Sequence, residues 1–360
     1  MSTLIKNLHI KNFKSVRDLS LDCDRINIFI GKPNAGKSNI LEAISLLGAG
    51  YSEGRFMEGF IRYKTLVQLF SDFNFHAPLM VRADSIHAEL KAEKMGNDFI
   101  FSIGSLTAKD DSQNTEYRQN SVLEYFIYPL SKQLLINGSS KQVQDNPYSR
   151  TGGLYAARLI KTNKNSPVKK YEFQPLKEYK ERGLFLQPPD GENFYFVART
   201  HSQFREEIGQ FLKPNGLEFL LDEETQRPLV VQRQGSSLLS FPMHLVPDTF
   251  QRYIFHLAAI MSNHNSVLLF EEPETHSYAP YVYQLAQHII QDEQNNQYFL
   301  TTHNPYFLLP ILEEAKDVAV FFTWFENYQT HARRLSEEEI RVILNDGIDV
   351  FINPDSLLAV

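Results

Sequence analysis

The octet Gly31-Lys32-Pro33-Asn34-Ala35-Gly36-Lys37-Ser38 places two glycines around a short polar loop and ends it on a lysine and a hydroxyl. Glycines let backbone N–H groups close around an anion, and a helix running from Ser38 onward would add its favourable dipole end. Lys37 would bring a point charge to the β and γ phosphates of a nucleotide, and Ser38 a hydroxyl ligand for Mg²⁺. Gly31, Pro33, Asn34, Ala35, Gly36, Lys37, Ser38 and Asn39 are therefore the candidate nucleotide-binding residues. A plain glycine-rich turn is the alternative, and the flanking strand and helix weigh against it.

A second group is Val267-Leu268-Leu269-Phe270-Glu271-Glu272-Pro273-Glu274, an apolar run ending in acids. Acids leaving the carboxyl end of a buried strand reach the edge where open α/β sheets bind ligands. Glu271 would hold Mg²⁺, directly or through water, and Glu272 would orient and deprotonate the attacking water. The competing reading is an acidic helix start complementing a dipole. His303 follows the next apolar run, Tyr298 to Thr302, and would act as a switch near a γ-phosphate. The candidate catalytic residues are Glu272, Lys37 and His303.

These residues need particular elements to hold them. Ile26 to Ile30 reads as a strand before the loop, and Ile40, Leu41, Ile44 and Leu47 recur at helical spacing after it. Val267 to Phe270, a helix with Val282, Leu285, Ala286, Ile289 and Ile290 on one face, and Tyr298 to Thr301 make a βαβ unit in a parallel sheet. Leu4 to Ile10, a turn near Asn12, and Leu19 to Leu21 predict an amino-terminal sheet, and Val318 to Phe325 another strand. Ser336 and Glu339 form a capping box for a helix running to about Leu344. Between the ends, Ile86 to Leu90, Phe99 to Ile103 and Tyr195 to Val197 read as short strands, broken by loops at Thr107 to Asn120 and Ser139 to Gly153.

Asn12-Phe13-Lys14-Ser15, the phosphate loop, the Glu-Glu-Pro-Glu strand end and the Thr-Thr-His-Asn-Pro turn together resemble the ABC-type ATPases of the RecF, SMC and OLD group. Within it the chain looks most like the bacterial ATPases related to OLD nucleases, many of them tied to phage defence. The resemblance covers about residues 1 to 50 and 240 to 325. It implies an α/β fold, an ABC-type ATPase head with a P-loop parallel sheet and an amino-terminal antiparallel sheet, interrupted by a mixed α+β insertion. The expected parts are 1–75 and 236–325 for the head, 76–235 for the insertion or lid, and 326–360 for a carboxyl-terminal helix and tail. It also implies ATP and Mg²⁺ as cofactors, Lys14 and Ser15 near the nucleotide, and Gln68 as a metal-sensing residue beside Ser38 and Glu271. A β-turn is the other reading of Lys14 and Ser15.

Family members close two heads on ATP, so a homodimer or higher oligomer is expected. The segment matching their signature, Pro247-Asp248-Thr249-Phe250-Gln251-Arg252, lacks the Ser-Gly core, leaving Asp248, Thr249 or backbone amides for a trans contact. No Asp-x-Asp pair or zinc-ligand spacing follows His303, so a nuclease would come from a partner, such as an operon-encoded effector. A RecF-like DNA repair ATPase and an ATP-holding scaffold with little turnover are the other readings.

The 360 residues suggest two domains or one with a large insertion, and 42% hydrophobic with 22% charged residues is ordinary globular usage, which excludes a disordered chain. A net charge of −7 argues against coating nucleic acid by bulk charge. Arg158, Lys161, Lys164, Lys169, Lys170, Lys177, Lys180 and Arg182, with Tyr171 and Phe173 interleaved, form a basic stretch that could meet DNA or RNA or simply face water. The lone Cys23 and the lack of a signal peptide or of about 18 consecutive apolar residues point to the cytoplasm and to no membrane contact.

Overall fold

The computed structural model describes residues 5–51, 57–84, 86–95, 98–107, 127–128, 134–136, 139–141, 155–156, 166–179, 183–346 and 351. In chain order it begins with β1 (Asn7–Phe13), β2 (Val16–Asp22), β3 (Ile26–Ile30) and α1 (Lys37–Ser45). After short 3₁₀ turns come β4 (Leu79–Ala83), β5 (Ile86–Met95), β6 (Asp98–Thr107), β7 (Ile127–Tyr128), β8 (Leu134–Ile136), β9 (Ser139–Lys141), β10 (Tyr155–Ala156) and β11 (Val168–Tyr171). Then follow α2 (Phe194–Thr200), α3 (Ser202–Leu212), β12 (Leu217–Asp222), β13 (Arg227–Gln234), β14 (Ser237–Pro242) and α4 (Asp248–Ser262). The chain continues through β15 (Val267–Glu271), α5 (Ala279–Ile290), β16 (Gln297–Thr301), α6 (Pro305–Glu314), β17 (Val318–Glu326), β18 (Gln329–Arg334) and α7 (Glu337–Asp346).

These elements form two compact bodies. One comprises Ile5–Lys169 with Ala319–Leu335, and the other Met1–Leu4, Lys170–Val318 and Ser336–Val360. In the first, an antiparallel sheet runs in the order β10-β7-β6-β5-β4-β1-β2. Its alternation of apolar and polar residues buries Leu8, Ile10, Leu19 and Leu21. β3 is buried along its whole length, as a continuous apolar strand should be, and Phe29 stacks on Phe321 of β17 with ring centroids 5.1 Å apart. The hairpin of β17 and β18 pairs Phe321 with Arg334 and Glu326 with Gln329.

In the second body β15 and β16 pair in parallel, with Val267 opposite Gln297 and Glu271 opposite Thr301, and α5 connects them as the βαβ pattern predicts. Val282, Leu285, Ala286 and Ile289 are buried on α5, while Ile290 is only partly covered. α4 packs beside them, and Phe211, Phe250, Tyr253 and Tyr281 join in one aromatic cluster in which Phe211 and Tyr253 stack at 4.1 Å. Ser336 and Glu339 exchange the two hydrogen bonds of the expected capping box at the start of α7.

Three local expectations are corrected. Tyr195 to Val197 belongs to the helix α2 and not to a strand; a short apolar run has no decisive period, and here every residue from Phe194 to Ala198 is buried. The first turn falls at Lys14 and Ser15, whereas Asn12 lies inside β1 with φ 59, its amide held by the carbonyls of Asn74 and Ala77. Ser139 to Lys141 is a strand paired with β8, while the rest of that expected loop, and most of Thr107 to Asn120, lies outside the described residues. Among the described residues no helix is long and apolar enough to cross a membrane.

Candidate functional site

The octet runs from the end of β3 into the first turn of α1, in the first body. Gly31 has φ 141 and Gly36 has φ 97, conformations that side-chain-bearing residues rarely adopt. A methyl group on Gly31 would stand 2.0 Å from the backbone oxygen of Thr323, and one on Gly36 would stand 1.9 Å from Oγ1 of Thr330. The β17–β18 hairpin thus walls the loop closely enough that only glycine fits at both ends. Asn34, at φ 60, turns the exposed tip formed by Lys32, Pro33 and Asn34. Lys37 opens α1, is 5% exposed, and donates from Nζ to the carbonyls of Gly31 and Lys32, each at 2.8 Å. Its ammonium therefore rests over the loop it would share with a phosphate. Ser38 and Asn39 are half-buried on the first turn of the helix.

Ser15 ties this region together. Its hydroxyl lies 2.6 Å from that of Thr330 and accepts from Asn39 Nδ2 at 2.7 Å, while its carbonyl accepts from Thr330 N at 2.8 Å. Lys14 and Ser15 occupy a β-turn, the second of their two sequence readings, and that turn contacts α1 through Asn39 and Glu42. The Lys14 ammonium meets the fully buried carboxylate of Glu42 on α1 and the carbonyl of Arg62, and Arg62 Nε bonds Glu42 at 2.7 Å. Gln68 sits in a 3₁₀ turn, where its Oε1 accepts from the backbone N–H groups of Lys64 at 2.7 Å and Thr65 at 3.2 Å.

In the second body the parallel register sets Glu271 beside Thr301, and the next residues of both strands meet beyond the sheet edge. Glu272 N donates to the carbonyl and the hydroxyl of Thr301, each at 3.1 Å. Glu272 has φ 44, a costly conformation for a side-chain-bearing residue that holds its carboxylate at this corner. Its Oε1 lies 3.6 Å from His303 Nε2, both side chains being partly open to solvent. α5 starts at Ala279, well past the acids, so the helix-start reading of the pair does not apply. Thr249, in the signature-like segment at the start of α4, donates to the carbonyl of His276 at 2.8 Å, linking that segment to the turn after the acids.

The basic stretch is different from its sequence reading. Lys169, Lys170 and Tyr171 are buried within β11, so neither a nucleic-acid track nor a solvated face describes them. Burial pushes the Lys169 ammonium down to about 8. Lys170 Nζ lies 3.7 Å from Glu271 and 4.0 Å from Glu172. Tyr171 donates to the Leu186 carbonyl at 2.6 Å, and Phe173 receives the Arg252 guanidinium over its ring at 4.9 Å. Lys177 is exposed, and Arg158, Lys161, Lys164, Lys180 and Arg182 lie outside the described residues.

Sequence reading gave no role to Thr330 or Thr302, and it placed Lys170 only in a basic stretch. Thr330 carries no motif, and Lys170 was hidden among lysines that looked like a surface run. Among the described residues no group of three or more His, Cys, Asp or Glu side chains gathers as a metal site. The hard oxygen donors expected for Mg²⁺, Ser38 and Glu271, are divided between the two bodies.

Residues 4–93 match the family model of the AAA ATPase domain. A stretch of 44 residues is 52% identical to an uncharacterized protein of Methanocaldococcus jannaschii, covering 12% of this chain and 20% of that one. The chain thus spans about a fifth of the curated relative it matches. Among solved structures it is similar to an SMC head bound to the C-winged helix domain of ScpA, with a TM-score of 0.50 and 13% identity over 93% of this chain and 99% of that one. It also resembles an SMC head with an extended coiled coil bound to the C-terminal domain of ScpA, from Pyrococcus furiosus, at a TM-score of 0.49 and 11% identity over 95% and 98% of the two chains. The SMC head of Thermotoga maritima gives 0.41 and 12% over 92% and 99%. The likeness at 0.50 is one of fold alone, and the amino-terminal match is to the AAA ATPase domain over residues 4–93.

Proposed function

We propose that this chain is an Mg²⁺-dependent ATPase that binds and hydrolyses ATP and acts as a conformational switch for a partner protein or nucleic acid, in phage defence or DNA maintenance. The observation that carries the reading is the loop between β3 and α1. Two positive-φ glycines with no room for a Cβ bracket it, and a buried lysine lies across its carbonyls. Such a cradle fits a polyphosphate.

Mg-ATP, when bound, would supply the phosphoanhydride and the charge-neutralising cation. Lys37 would exchange the carbonyls of Gly31 and Lys32 for phosphate oxygens. Ser38 and Glu271 would hold the cation, with Gln68 joining them once its side chain leaves the cap at Lys64 and Thr65. Glu272 would take the proton of the attacking water, and His303 would steady that carboxylate and the terminal phosphate. The head would be assembled from residues 1–75 and 236–325 around the segment 76–235. Two heads would close on ATP, with Asp248, Thr249 and nearby amides offered in place of a Ser-Gly signature.

Equilibrium nucleotide binding and light scattering on the wild type and Lys37→Ala test this reading together. The wild type should bind Mg-ATP and shift toward a dimer, and the variant should bind about 100-fold more weakly and stay at its nucleotide-free mass. Equal ATP affinity in the two proteins would contradict the assignment of the loop.

A further inference from the structure

The third acid of the run, Glu274, has no part in the chemistry above, yet it is buried beside it, at 5% exposed. Its Oε1 accepts from the hydroxyl of Thr302 and from the backbone N–H of His303 at 3.3 Å. Its Oε2 is buried with no hydrogen-bond partner. The bonds continue outward, for the Thr302 hydroxyl accepts from Asn304 N at 3.0 Å and the Asn304 side chain caps α6 by accepting from Tyr306 N at 2.9 Å. One carboxyl group therefore fastens the turn after β15 to the turn after β16. Those two turns carry Glu272 and His303, which stand 3.6 Å apart.

We propose that Glu274 is a positioning residue that fixes His303 against Glu272 by accepting hydrogen bonds from Thr302 and from the His303 backbone; as a step in hydrolysis this rests on the roles proposed for Glu272 and His303. A buried carboxylate with one oxygen unpaired is costly, whereas a neutral acid of the same shape is much less so. Burial pushes the Glu274 acid up to about 7, in keeping with a group that works through its shape and its accepting oxygen. Glutamine preserves both features. Aspartate is one methylene too short to reach both donors, and alanine removes the acceptor.

The test uses the full chain with ¹⁵N-labelled histidine and reads the imidazole signals of His303, assigned by their loss in His303→Gln. Glu274→Ala and Glu274→Asp should shift the His303 ring signals, and Glu274→Gln should reproduce those of the wild type. If Glu274→Ala fails to fold, Thr302→Val, which removes one donor, takes its place and should shift the same signals. Unmoved His303 signals in the folded variants, or a shift in Glu274→Gln as large as in Glu274→Asp, would overturn the proposal. In ATP turnover, Glu274→Asp should lower kcat about tenfold at unchanged KM, with activity restored in Glu274→Gln. The histidine spectra decide the role of Glu274 without any turnover, so a wild type that hydrolyses no ATP would count against the ATPase reading alone.

Discussion

Gly31 shows how one residue type couples the phosphate loop to the rest of its body. Its φ of 141 suits glycine, and the Thr323 carbonyl 2.0 Å from where a Cβ would sit belongs to a backbone that cannot swing aside. Gly31→Ala should therefore lower stability by at least about 2 kcal/mol, seen as a depressed thermal midpoint in scanning calorimetry. An unchanged midpoint would mean that the hairpin yields easily. The glycine itself was legible because its motif is contiguous: eight neighbouring residues state the loop, and the flanking periodicities state its strand and helix. Glu271, Glu272 and His303 were legible for a similar reason, each standing at the end of an apolar run. Thr330 and Lys170 were not. Thr330 reaches Ser15 across most of the chain, a proximity created by the fold, and Lys170 looks like a surface lysine until β11 buries it against Glu271.

Among the elements, α4 and β15 share a buried histidine. His256 Nδ1 lies 2.8 Å from the Arg252 carbonyl, and its ring meets Phe270 of β15 edge to face at 5.2 Å. Burial pushes its pKa down to about 4, so the folded protein keeps the ring neutral under conditions where the unfolded chain, titrating near 6.5, takes up a proton. The unfolded state then binds more protons between those values, and stability falls as the pH drops from about 6.5 toward 4, by on the order of 3 kcal/mol in all. His256→Leu should show a smaller loss of thermal midpoint between pH 7 and pH 5 than the wild type; equal losses would remove His256 as a source of acid sensitivity. At this scale the βαβ unit, β3, β17 and the α7 capping box followed from period and spacing. α2 did not, because five successive buried residues, from Phe194 to Ala198, satisfy a strand and a helix equally well.

For the whole molecule, the proposed nucleotide head would draw on distant parts of the chain, because the phosphate loop precedes the acidic run by more than half of its length. The chain shares its fold with an SMC head over 93% of its length, and residues 4–93 match the AAA ATPase domain model. The middle of the chain carries no motif, and no sequence period announced its strands beyond β6. Lys37 and Glu272 are proposed to serve one nucleotide, the first holding it and the second hydrolysing it. The most direct measurement is single-turnover hydrolysis by Glu272→Gln with Mg-ATP, scoring bound nucleotide and released phosphate in the same sample. Glu272→Gln should bind ATP as tightly as the wild type, with phosphate release slowed at least about 100-fold. Hydrolysis at the wild-type rate would contradict that proposal.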